Sequence, residues 1–389
     1  MPVINRISEF HDEAITWRQK IHSEPETAFE EEKTSAFVAS QLESFGIEVH
    51  HGLAKTGLVG ILRGVQNGSE KTIGLRADMD ALPIEEIGEH AHKSQNRGKM
   101  HACGHDGHTT MLLTAARYLA ETRNFDGTVH FIFQPAEEQG GGANVMIEEG
   151  LFERFPCDQV FGIHNLPGIE AGHISTRIGP IMAISDTVQI EIDGKGGHGA
   201  MPHETVDPVV IGSLIVTGLQ TLVSRSIDPV KTAVVTITQF HAGETNNAIP
   251  NTAFLEGTIR AYEEEVYQKL QDDITQIATS LAEAHGASVK VSFPGSYPAT
   301  VNAENEALLA IEVAKEVIPV TSVDDNCNPL MGGEDFSYMT QKRPGAFVFL
   351  GNGVDSPNLH TETYDFNDDI IPIGASFWAR LVEKALPIR

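Results

Sequence analysis

The sequence predicts an α/β fold in two parts: a larger domain built on a mixed sheet, and a smaller ferredoxin-like domain inserted into it. Three observations support this prediction. Helix-like and strand-like segments alternate in the first third of the chain and again near its end. The middle third follows the order β-α-β-β-α-β. The length of 389 residues suits two domains better than one.

The elements of the first third follow from the spacing of apolar residues. Apolar positions at helical intervals predict an opening amphipathic helix, marked by Ile4, Ile7, Phe10 and Ala14. A second helix ends at Gly46, and a third begins near Asp106 and ends near residue 121. Short apolar runs predict strands at 57–62, 72–77, 128–133 and 159–163.

Polar side chains follow three of these predicted strands. They are Asp78 and Asp80, Glu137 and Glu138, and His164. Open α/β sheets bind their ligands outside the carboxyl ends of the strands. The sequence therefore predicts a functional site at this edge of the sheet.

The middle segment has the split β-α-β-β-α-β pattern of ferredoxin-like domains. Its strands are predicted at 187–193, 232–241, 252–260 and 288–293, and its helices at 206–223 and 263–284. We therefore predict an inserted domain at 184–295, with residues 1–183 and 296–389 forming the larger domain. The apolar stretch 207–225 contains Ser, Thr, Gly and Gln and falls short of a membrane span, which favours a buried helix. The larger domain is completed by a helix at 304–317, a strand at 346–350 and a helix from about Asp369.

The composition excludes several classes of partner. The chain carries 27 basic and 54 acidic side chains, so its formal charge is −27. Such a charge repels nucleic acid and anionic membrane surfaces. Three cysteines are too few for a disulfide framework, and the charged N-terminal segment lacks the apolar core of a signal peptide. We therefore expect a reduced, soluble, cytoplasmic protein.

The strongest chemical signal is the segment MHACGHDGH at 100–108. Cys103 and His105 stand in a glycine-containing turn before a helix, where a thiolate and an imidazole can converge on one metal ion. The alternative is a buried free cysteine beside surface histidines. The neighbouring histidines, His101 and His108, favour the metal interpretation but stay unassigned.

A second signal is the pair Glu137-Glu138, directly after an apolar β-run. Adjacent side chains at a strand end do not share one face, so one carboxylate can bind metal while its neighbour faces bound water. This division of labour suits a metallohydrolase. An isolated pair of this kind is otherwise a solvated acidic turn.

Two single histidines complete a candidate ligand set. His164 follows an apolar strand and His360 lies in the segment NLHTE, and either alone is typical of a structural histidine. Together the candidate ligands are Cys103, His105, Glu138, His164 and His360. Five mixed ligands exceed the four of a closed structural zinc site and suit two divalent ions with an open position for water. Zn, Mn, Co and Ni all suit such donors.

Two other types of site are disfavoured. The segment GKGGHG at 194–199 satisfies the dinucleotide-binding pattern, but Pro202 follows soon after and no acidic residue stands at 216–220. The alternative interpretation is a flexible turn that projects His198. A zinc deaminase acting on a nucleobase prefers a C-x-x-C motif, which this sequence lacks.

On its motifs the chain resembles the M20 metallopeptidase family, in the amidohydrolase branch of hippurate, N-acyl-amino-acid and plant auxin-conjugate hydrolases. The motifs stand in family order over nearly the whole chain: RADMDALP (76–83), MHACGHDGH (100–108), FQPAEE (133–138), GIHNLPG (162–168), GKGGHGAMP (194–202), NNAIPNT (246–252), GGEDFSY (332–338) and LHTE (359–362). The resemblance implies a zinc-peptidase-like catalytic domain, with the inserted domain as its lid.

The resemblance also implies roles for the candidate residues of the catalytic domain. The ligands of two metal ions would be Cys103, His105, Glu138, His164 and His360. Glu137 matches the general base that activates the metal-bound water. Asp80 is a possible orienting carboxylate. Its role is open because Asp78 replaces the histidine of the His-x-Asp motif found in other branches.

In the lid, the resemblance implies that His198 reaches the active site of a partner subunit. Asn247 and Arg260 match residues that contact the substrate's carboxylate. Without the resemblance, Asn247 is typical of a turn and Arg260 of a surface salt bridge.

The sequence thus predicts a metal-dependent amidohydrolase that cleaves N-acyl amino acids, such as N-acetyl or N-benzoyl compounds, into a carboxylic acid and an amino acid. The alternative is a metallo-carboxypeptidase or dipeptidase acting on short peptides. A non-catalytic binding protein on the same fold is disfavoured, because every candidate catalytic residue is present. The expected partners are the small-molecule substrate and further copies of the chain in a homodimer or homotetramer, and neither nucleic acid nor a membrane.

Overall fold

The computed structural model describes residues 3–65 and 68–388, and the chain divides into two compact units. The first unit comprises Met1–Ile181, Val301–Asn328 and Asp335–Arg389, and the second comprises Met182–Thr300 and Pro329–Glu334. The sequence analysis places 329–334 in the larger domain, whereas the structure places it in the second unit. A backbone hydrogen bond of 3.1 Å explains the difference, because the N–H of Ala183 donates to the carbonyl of Gly332.

The strands are numbered in chain order. They are β1 (Glu48–Leu53), β2 (Gly57–Arg63), β3 (Thr72–Asp78), β4 (Thr128–Gln134), β5 (Gln159–Pro167), β6 (Ile174–Ser175), β7 (Gly179–Met182), β8 (Ile184–Asp193), β9 (Gly197–His198), β10 (Ala233–Ala242), β11 (Ala248–Ile249), β12 (Thr252–Ala261), β13 (Ser288–Ser292), β14 (Ser296–Tyr297), β15 (Thr300–Asn302), β16 (Val323–Asp324) and β17 (Gly345–Gly353).

The α-helices are numbered in the same way. They are α1 (Asn5–Glu9), α2 (His11–Ser23), α3 (Glu32–Ser44), α4 (His105–Thr122), α5 (Gly142–Glu148), α6 (Leu151–Arg154), α7 (Pro208–Thr221), α8 (Glu264–Ala284), α9 (Glu304–Val317), α10 (Phe336–Lys342) and α11 (Ile371–Ala385).

Within the described residues, the first unit holds an eight-stranded sheet in the order β1-β2-β4-β3-β5-β17-β6-β16. The central strands β4, β3, β5 and β17 are parallel, while β1–β2 and β2–β4 are antiparallel pairs. The prediction of a mixed α/β sheet is confirmed. The central strands are almost entirely buried, as is typical of a parallel sheet that is covered on both faces.

The order of the central strands positions the candidate site. Because β4, β3 and β5 are adjacent and parallel, their carboxyl ends meet at one edge of the sheet. Asp78, the last residue of β3, lies directly opposite Gln134, the last residue of β4. The polar residues that follow these strands are therefore neighbours in space.

The N-terminal helical segment differs from the prediction of one opening helix. It forms two helices, α1 and α2, and Phe10 is both the C-cap of the first and the N-cap of the second. The apolar spacing survives this break, because Ile7, Phe10 and Ala14 are all buried. The spacing of apolar residues predicts which residues face the core, but it does not show where one helix ends and the next begins.

The second unit contains its elements in the order strand, helix, strand, strand, helix, strand, as β8, α7, β10, β12, α8 and β13. Its sheet has the order β10-β12-β8-β13, with β14 also paired to β8, and each of these pairs is antiparallel. The unit has its own hydrophobic core. Core residues include Ile190, Ile215, Leu255 and Ile274.

Helix α7 is not the buried helix that the sequence predicts. Ile211, Ile215 and Leu219 are buried, but Val210 is 51% exposed and Leu214 is also exposed. Among the described residues, Pro208–Ser226 is the one helical stretch long and apolar enough to cross a membrane, with mean hydropathy 1.4 and 28% of it buried. Apolar residues occupy both faces of the helix, so periodicity could not show which face would be covered.

Candidate metal centre

A tight turn before α4 brings the first two candidate ligands together. Gly104, which precedes α4, has a φ of +90°. A Cβ at this position would lie 2.3 Å from Oδ1 of Asn165 and 2.7 Å from the hydroxyl of Tyr364. Glycine is therefore required both for the backbone conformation and for space. The turn holds Cys103 and His105 on either side of it, and both are buried.

All five predicted ligands converge at the carboxyl edge of the sheet in the first unit. The candidate ligand atoms of Cys103, His105 and His164 lie within 4.8 Å of one another. Those of Cys103, Glu138 and His360 also lie within 4.8 Å of one another. Cys103 belongs to both groups, and its Sγ is 3.4 Å from Nε2 of His164. We call these five residues the candidate metal centre.

Two buried atoms of the candidate metal centre have no hydrogen-bond partner. They are Nε2 of His105 and Oε1 of Glu138, which are 3.9 Å apart. Nε2 of His360 lies 3.2 Å from the same glutamate oxygen. A buried polar atom without a partner is costly, and a cation between nitrogen and carboxylate donors removes that cost. The donor set and its unsatisfied atoms therefore fit divalent metal ions.

The imidazole rings of His105 and His164 are each oriented by a hydrogen bond at Nδ1. Nδ1–H of His105 donates to the backbone carbonyl of Asp80 at 2.9 Å. Nδ1–H of His164 donates to the backbone carbonyl of Asn165 at 2.6 Å. Both rings thus present Nε2 to the centre, as metal-binding histidines do when their second nitrogen is held.

Asp80 fixes the turn that carries the two glutamates. Its carboxylate accepts from the backbone N–H of Glu137 at 3.0 Å and of Glu138 at 2.9 Å. The preceding residue, Ala136, has a φ of +56°, and its N–H donates to the buried carboxylate of Glu31 at 3.0 Å. Sequence reasoning missed Glu31, because nothing near it in sequence marks a site.

Glu137 shares this buried corner with the candidate metal centre. Candidate ligand atoms of His105, Glu137 and Glu138 lie within 4.8 Å of one another. Glu137 is 6% exposed, and its Oε1 accepts from the N–H of Asp335 at 3.3 Å. The carboxylate of Asp335 in turn accepts from Arg76 at 2.9 Å. Arg76 lies in the motif RADMDALP and Asp335 in the motif GGEDFSY, but the sequence alone assigned neither residue a role.

Burial and neighbouring carboxylates shift the pKa values of three of the candidate ligands, Cys103, His105 and His164. Burial raises the pKa of the Cys103 thiol well above its ordinary value, and the carboxylate of Glu138 adds to the rise. Burial lowers the pKa of His164 well below its ordinary value. Burial also opposes charge on His105, but the carboxylates of Asp78 and Asp80 outweigh it and raise its pKa to about 10. Metal binding at Cys103 and His105 would therefore release protons.

His108 and Asp78 form a buried pair under the centre. Nδ1 of His108 lies 2.6 Å from Oδ1 of Asp78, and Arg76 donates to Oδ2 of Asp78 at 2.7 Å. His108 is thus held by a carboxylate rather than aimed at the five ligands. His101 is also buried, and neither of its ring nitrogens makes a hydrogen bond.

In the second unit, His198 and Asn247 lie together at an exposed pair of short antiparallel strands, β9 and β11. His198 in β9 pairs with Ala248 in β11, and the N–H of Gly199 donates to the carbonyl of Asn247 at 2.8 Å. Both candidate side chains belong to exposed residues.

Arg260 lies near the end of β12, whereas the β9–β11 strand pair lies close in sequence to its start. The strand runs from Thr252 to Ala261, and eight residues of extended chain separate Thr252 from Arg260 by roughly 26 Å. The guanidinium of Arg260 donates to the carbonyls of Met331 at 3.0 Å and Ile259 at 2.9 Å. The structure therefore does not bring Arg260 together with Asn247 inside the second unit.

The chain is similar over nearly its whole length to curated hydrolases and to a metal-binding peptidase of known structure. The sequence profile of peptidase family M20/M25/M40 matches residues 74–384. Hippurate hydrolase of Campylobacter jejuni is 42% identical over 386 residues, which cover 99% of this chain and all of the relative. Thermostable carboxypeptidase 2 of Saccharolobus solfataricus is 42% identical, with 98% and 97% covered. The crystal structure of a dinuclear metal binding peptidase of family M20 from Bacillus subtilis matches with a TM-score of 0.85 at 32% identity, covering 97% of this chain and 99% of the other.

Proposed function

The chain belongs to peptidase family M20/M25/M40, and from this premise we propose that it hydrolyses the amide bond of N-acyl amino acids with divalent metal ions. One observation carries the proposal: five donors converge beside Glu137, with buried atoms of His105 and Glu138 left without hydrogen bonds. The similarity to a hippurate hydrolase over the full length supports this substrate class. The products are a carboxylic acid and a free amino acid.

Five side chains would hold two ions: Cys103, His105, Glu138, His164 and His360. Cys103 would be central to holding them, because it belongs to both ligand groups. Two divalent ions, when bound, polarise the acyl carbonyl and lower the pKa of bound water. Zn, Mn, Co and Ni each suit this mixture of nitrogen, oxygen and sulfur donors.

Glu137 acts as the general base in this proposal. Its carboxylate takes a proton from the attacking water and delivers it to the leaving amine nitrogen. Asp80 holds the backbone of Glu137, and the N–H of Asp335 holds its carboxylate. Both contacts reduce the rotation of this side chain, so the carboxylate stays oriented for transfer.

Residues of the second unit bind the free carboxylate of the substrate and stabilise the developing oxyanion in this proposal. Arg260 offers a bidentate grip on a carboxylate. Most of β12 separates Arg260 from the β9–β11 strand pair that carries His198, because Thr252 at the start of β12 lies roughly 26 Å from Arg260 by strand geometry. We infer that the Arg260 and the His198 and Asn247 that serve one active site come from different subunits.

This arrangement requires a homodimer, or a homotetramer built from dimers. The exposed apolar stripe of α7 supports such an assembly, because Val209, Val210 and Leu214 stand uncovered in the second unit. Sedimentation of the wild type and of Val210→Asp tests it. We expect a dimer or tetramer that the aspartate dissociates, and a wild-type monomer would contradict the proposal.

A carboxypeptidase or dipeptidase activity is the second candidate function. The similarity to a thermostable carboxypeptidase supports it at the same level of identity. The same residues would serve, since a peptide bond is also an amide next to a free carboxylate.

A substrate panel separates the two candidates. Release of amino acid is measured from N-acetyl amino acids, N-benzoyl amino acids and dipeptides, with added Mn²⁺ or Zn²⁺ and with EDTA. We expect EDTA-sensitive release that is fastest from an N-acyl amino acid. Fastest release from dipeptides would favour the second candidate, and release that EDTA leaves unchanged would contradict the metal requirement.

We also propose a reducing compartment, the cytoplasm, for this protein. Cys103, Cys157 and Cys327 are free and buried. A thiolate ligand at Cys103 is lost on oxidation, so activity depends on a reducing environment.

A further inference from the structure

A second group of histidines and carboxylates lies in the first unit, outside the five ligands of the candidate metal centre. We propose that His22, His90 and Asp365 bind a separate divalent cation of borderline softness, such as Zn²⁺. His22 belongs to α2, His90 to the segment between β3 and α4, and Asp365 to the segment before α11. We call these three residues the histidine cluster.

The geometry of the histidine cluster is that of a small ligand set. One candidate ligand atom from each of the three residues lies within 4.8 Å of the other two. Oε1 of Glu86 is a fourth donor, 3.2 Å from Nε2 of His22 and 2.5 Å from Nε2 of His90. Nδ1 of His90 is 3.8 Å from Oδ2 of Asp365. Two imidazoles and two carboxylates suit Zn²⁺.

One buried atom of the cluster lacks a partner. Nε2 of His90 is buried and makes no hydrogen bond, although Oε1 of Glu86 lies only 2.5 Å away. A nitrogen and a carboxylate oxygen at this distance repel each other unless a proton lies between them or a cation binds both. Oε1 of Glu86 already has Nε2 of His22 as a hydrogen-bond partner at 3.2 Å, so Nε2 of His90 is the atom that a bound cation would satisfy.

The histidine cluster lies beside the guanidinium of Arg18, which is surrounded by carboxylates. Arg18 pairs with Asp365 and Asp368 at 2.7 Å each, and lies 3.5 Å from Asp106. With Glu86 these are four carboxylates, against the guanidinium of Arg18 and the imidazolium of His22. A divalent ion in place of the His22 proton would add one positive charge to this group.

The imidazoles can accept the ion. Burial lowers the pKa of His90, which keeps this ring neutral and able to bind metal. Burial opposes charge on His22, but Asp106 outweighs it and raises the pKa of His22 to about 9, so the ion must displace one proton there. Nδ1 of His22 lies 2.8 Å from the carboxylate of Asp106 and Nε2 lies 3.2 Å from Oε1 of Glu86, so the ion would take the place of the proton between Nε2 and Glu86.

A neighbouring ring restrains His90. His92 stacks on His90 with ring centroids 4.2 Å apart, and Nε2 of His92 lies 3.0 Å from Oδ2 of Asp365. The ion would therefore join three segments that are distant in sequence but already oriented toward each other. Its expected role is to stabilise the fold, since it touches none of the proposed catalytic groups.

Metal content tests the proposal. The full chain is stripped with chelator, equilibrated with excess Zn²⁺, freed of loose ions by gel filtration and analysed for zinc per chain. We expect the wild type to hold one more zinc ion per chain than His90→Gln and to melt at a higher temperature. His51→Gln, at an exposed histidine of β1, is the matched control and should equal the wild type.

Two further measurements keep the result specific. Asp365→Asn removes a ligand from a different segment and should lose the same single ion. With Co²⁺ in place of Zn²⁺, the thiolate-to-cobalt absorption band reports the ion at Cys103 and should be unchanged in His90→Gln. Equal zinc contents in the wild type and His90→Gln would overturn the proposal, and so would an ion loss accompanied by loss of the thiolate band.

Discussion

The two units present their candidate residues in opposite ways. In the first unit, His105 is fully buried, and Cys103 and Glu137 are each 6% exposed. In the second unit, His198 and Asn247 lie at the exposed strand pair β9–β11. Burial strengthens the electrostatic interactions that bind metal and shift protons, whereas exposure leaves a residue free to meet a ligand or another chain.

The hydrogen bonds around these residues differ in the same direction. In the first unit, His105 and His164 are each held by a backbone carbonyl, and the turn of Glu137 is held by Asp80. In the second unit, Nδ1 of His198 only accepts from the N–H of Ala200 two residues away. The comparison predicts that substitutions in the first unit reduce turnover or stability, and that substitutions in the second unit reduce substrate binding and assembly.

The largest expected effect is at the general base. Glu137→Gln keeps the shape of the side chain but cannot accept the proton, so we expect kcat to fall about 10³-fold. Steady-state kinetics and metal analysis on the same preparation check this result. Metal content should be unchanged, and Glu153→Gln, at an exposed glutamate, should behave as the wild type. Full turnover in a metal-loaded Glu137→Gln would refute the general-base role.

The next largest effect is expected on the free energy of unfolding, at the buried carboxyl group of Glu31. Burial raises the pKa of Glu31 to about 7, above the value of an unfolded chain. Its stabilisation is therefore complete below the unfolded pKa and is lost as pH rises through about 7. Glu31→Gln removes this titration, and we expect it to gain about 3 kcal/mol on the wild type between pH 4 and pH 8.

Urea unfolding at several pH values measures the effect of Glu31→Gln. The neighbouring Glu32→Gln is the control, because Glu32 is exposed and should leave the pH profile of stability unchanged. Parallel profiles for the wild type and Glu31→Gln would show that Glu31 is ionised at no cost.

In the second unit, His198→Ala should reduce kcat/KM about 10²-fold, as loss of an oxyanion donor does. His203→Ala, at an exposed histidine nearby, is the control. If His198 acts on a partner subunit, mixing inactive Glu137→Gln with His198→Ala should restore activity, because each hybrid dimer contains one intact site. Mixtures that stay as inactive as their components would show that His198 acts within its own chain.

The smallest expected effect is at Arg260. Arg260→Lys keeps the charge but loses the bidentate fork, so we expect KM to rise about tenfold with little change in kcat. Michaelis–Menten curves on an N-acyl amino acid give both constants, and Arg225→Lys at an exposed position is the control. A lower kcat with constant KM would instead place Arg260 in the chemical step.

Much of the candidate metal centre could be predicted because its residues carry local signals. Glu137 and Glu138 come shortly after β4, His164 lies in the second half of β5 although the sequence predicted a strand ending at residue 163, and Cys103 and His105 share one turn. Adjacent parallel strands then bring their carboxyl ends together without further information. The roles of these residues stay predictions, whereas their convergence is a property of the structure.

Other features could not be predicted because they depend on contacts between distant residues. Glu31 holds the N–H of Ala136 across 105 positions, and Arg76 meets Asp335 across 259. A single residue in such a contact leaves no periodic pattern in the sequence. The sequence likewise does not show what packs against each face of a helix. It therefore predicts a buried α7, whereas the structure leaves half of the helix exposed.

The sequence by itself determined the mixed α/β class, the strand ends that carry polar residues and the identity of the candidate ligands, because hydrophobic period and short motifs are local. Only the tertiary structure decided which atoms of those ligands lack partners, which carboxylates orient them, and that His22, His90 and Asp365 meet. The physical reason is that burial and distance are set by packing of the whole unit. No segment of the chain encodes them alone.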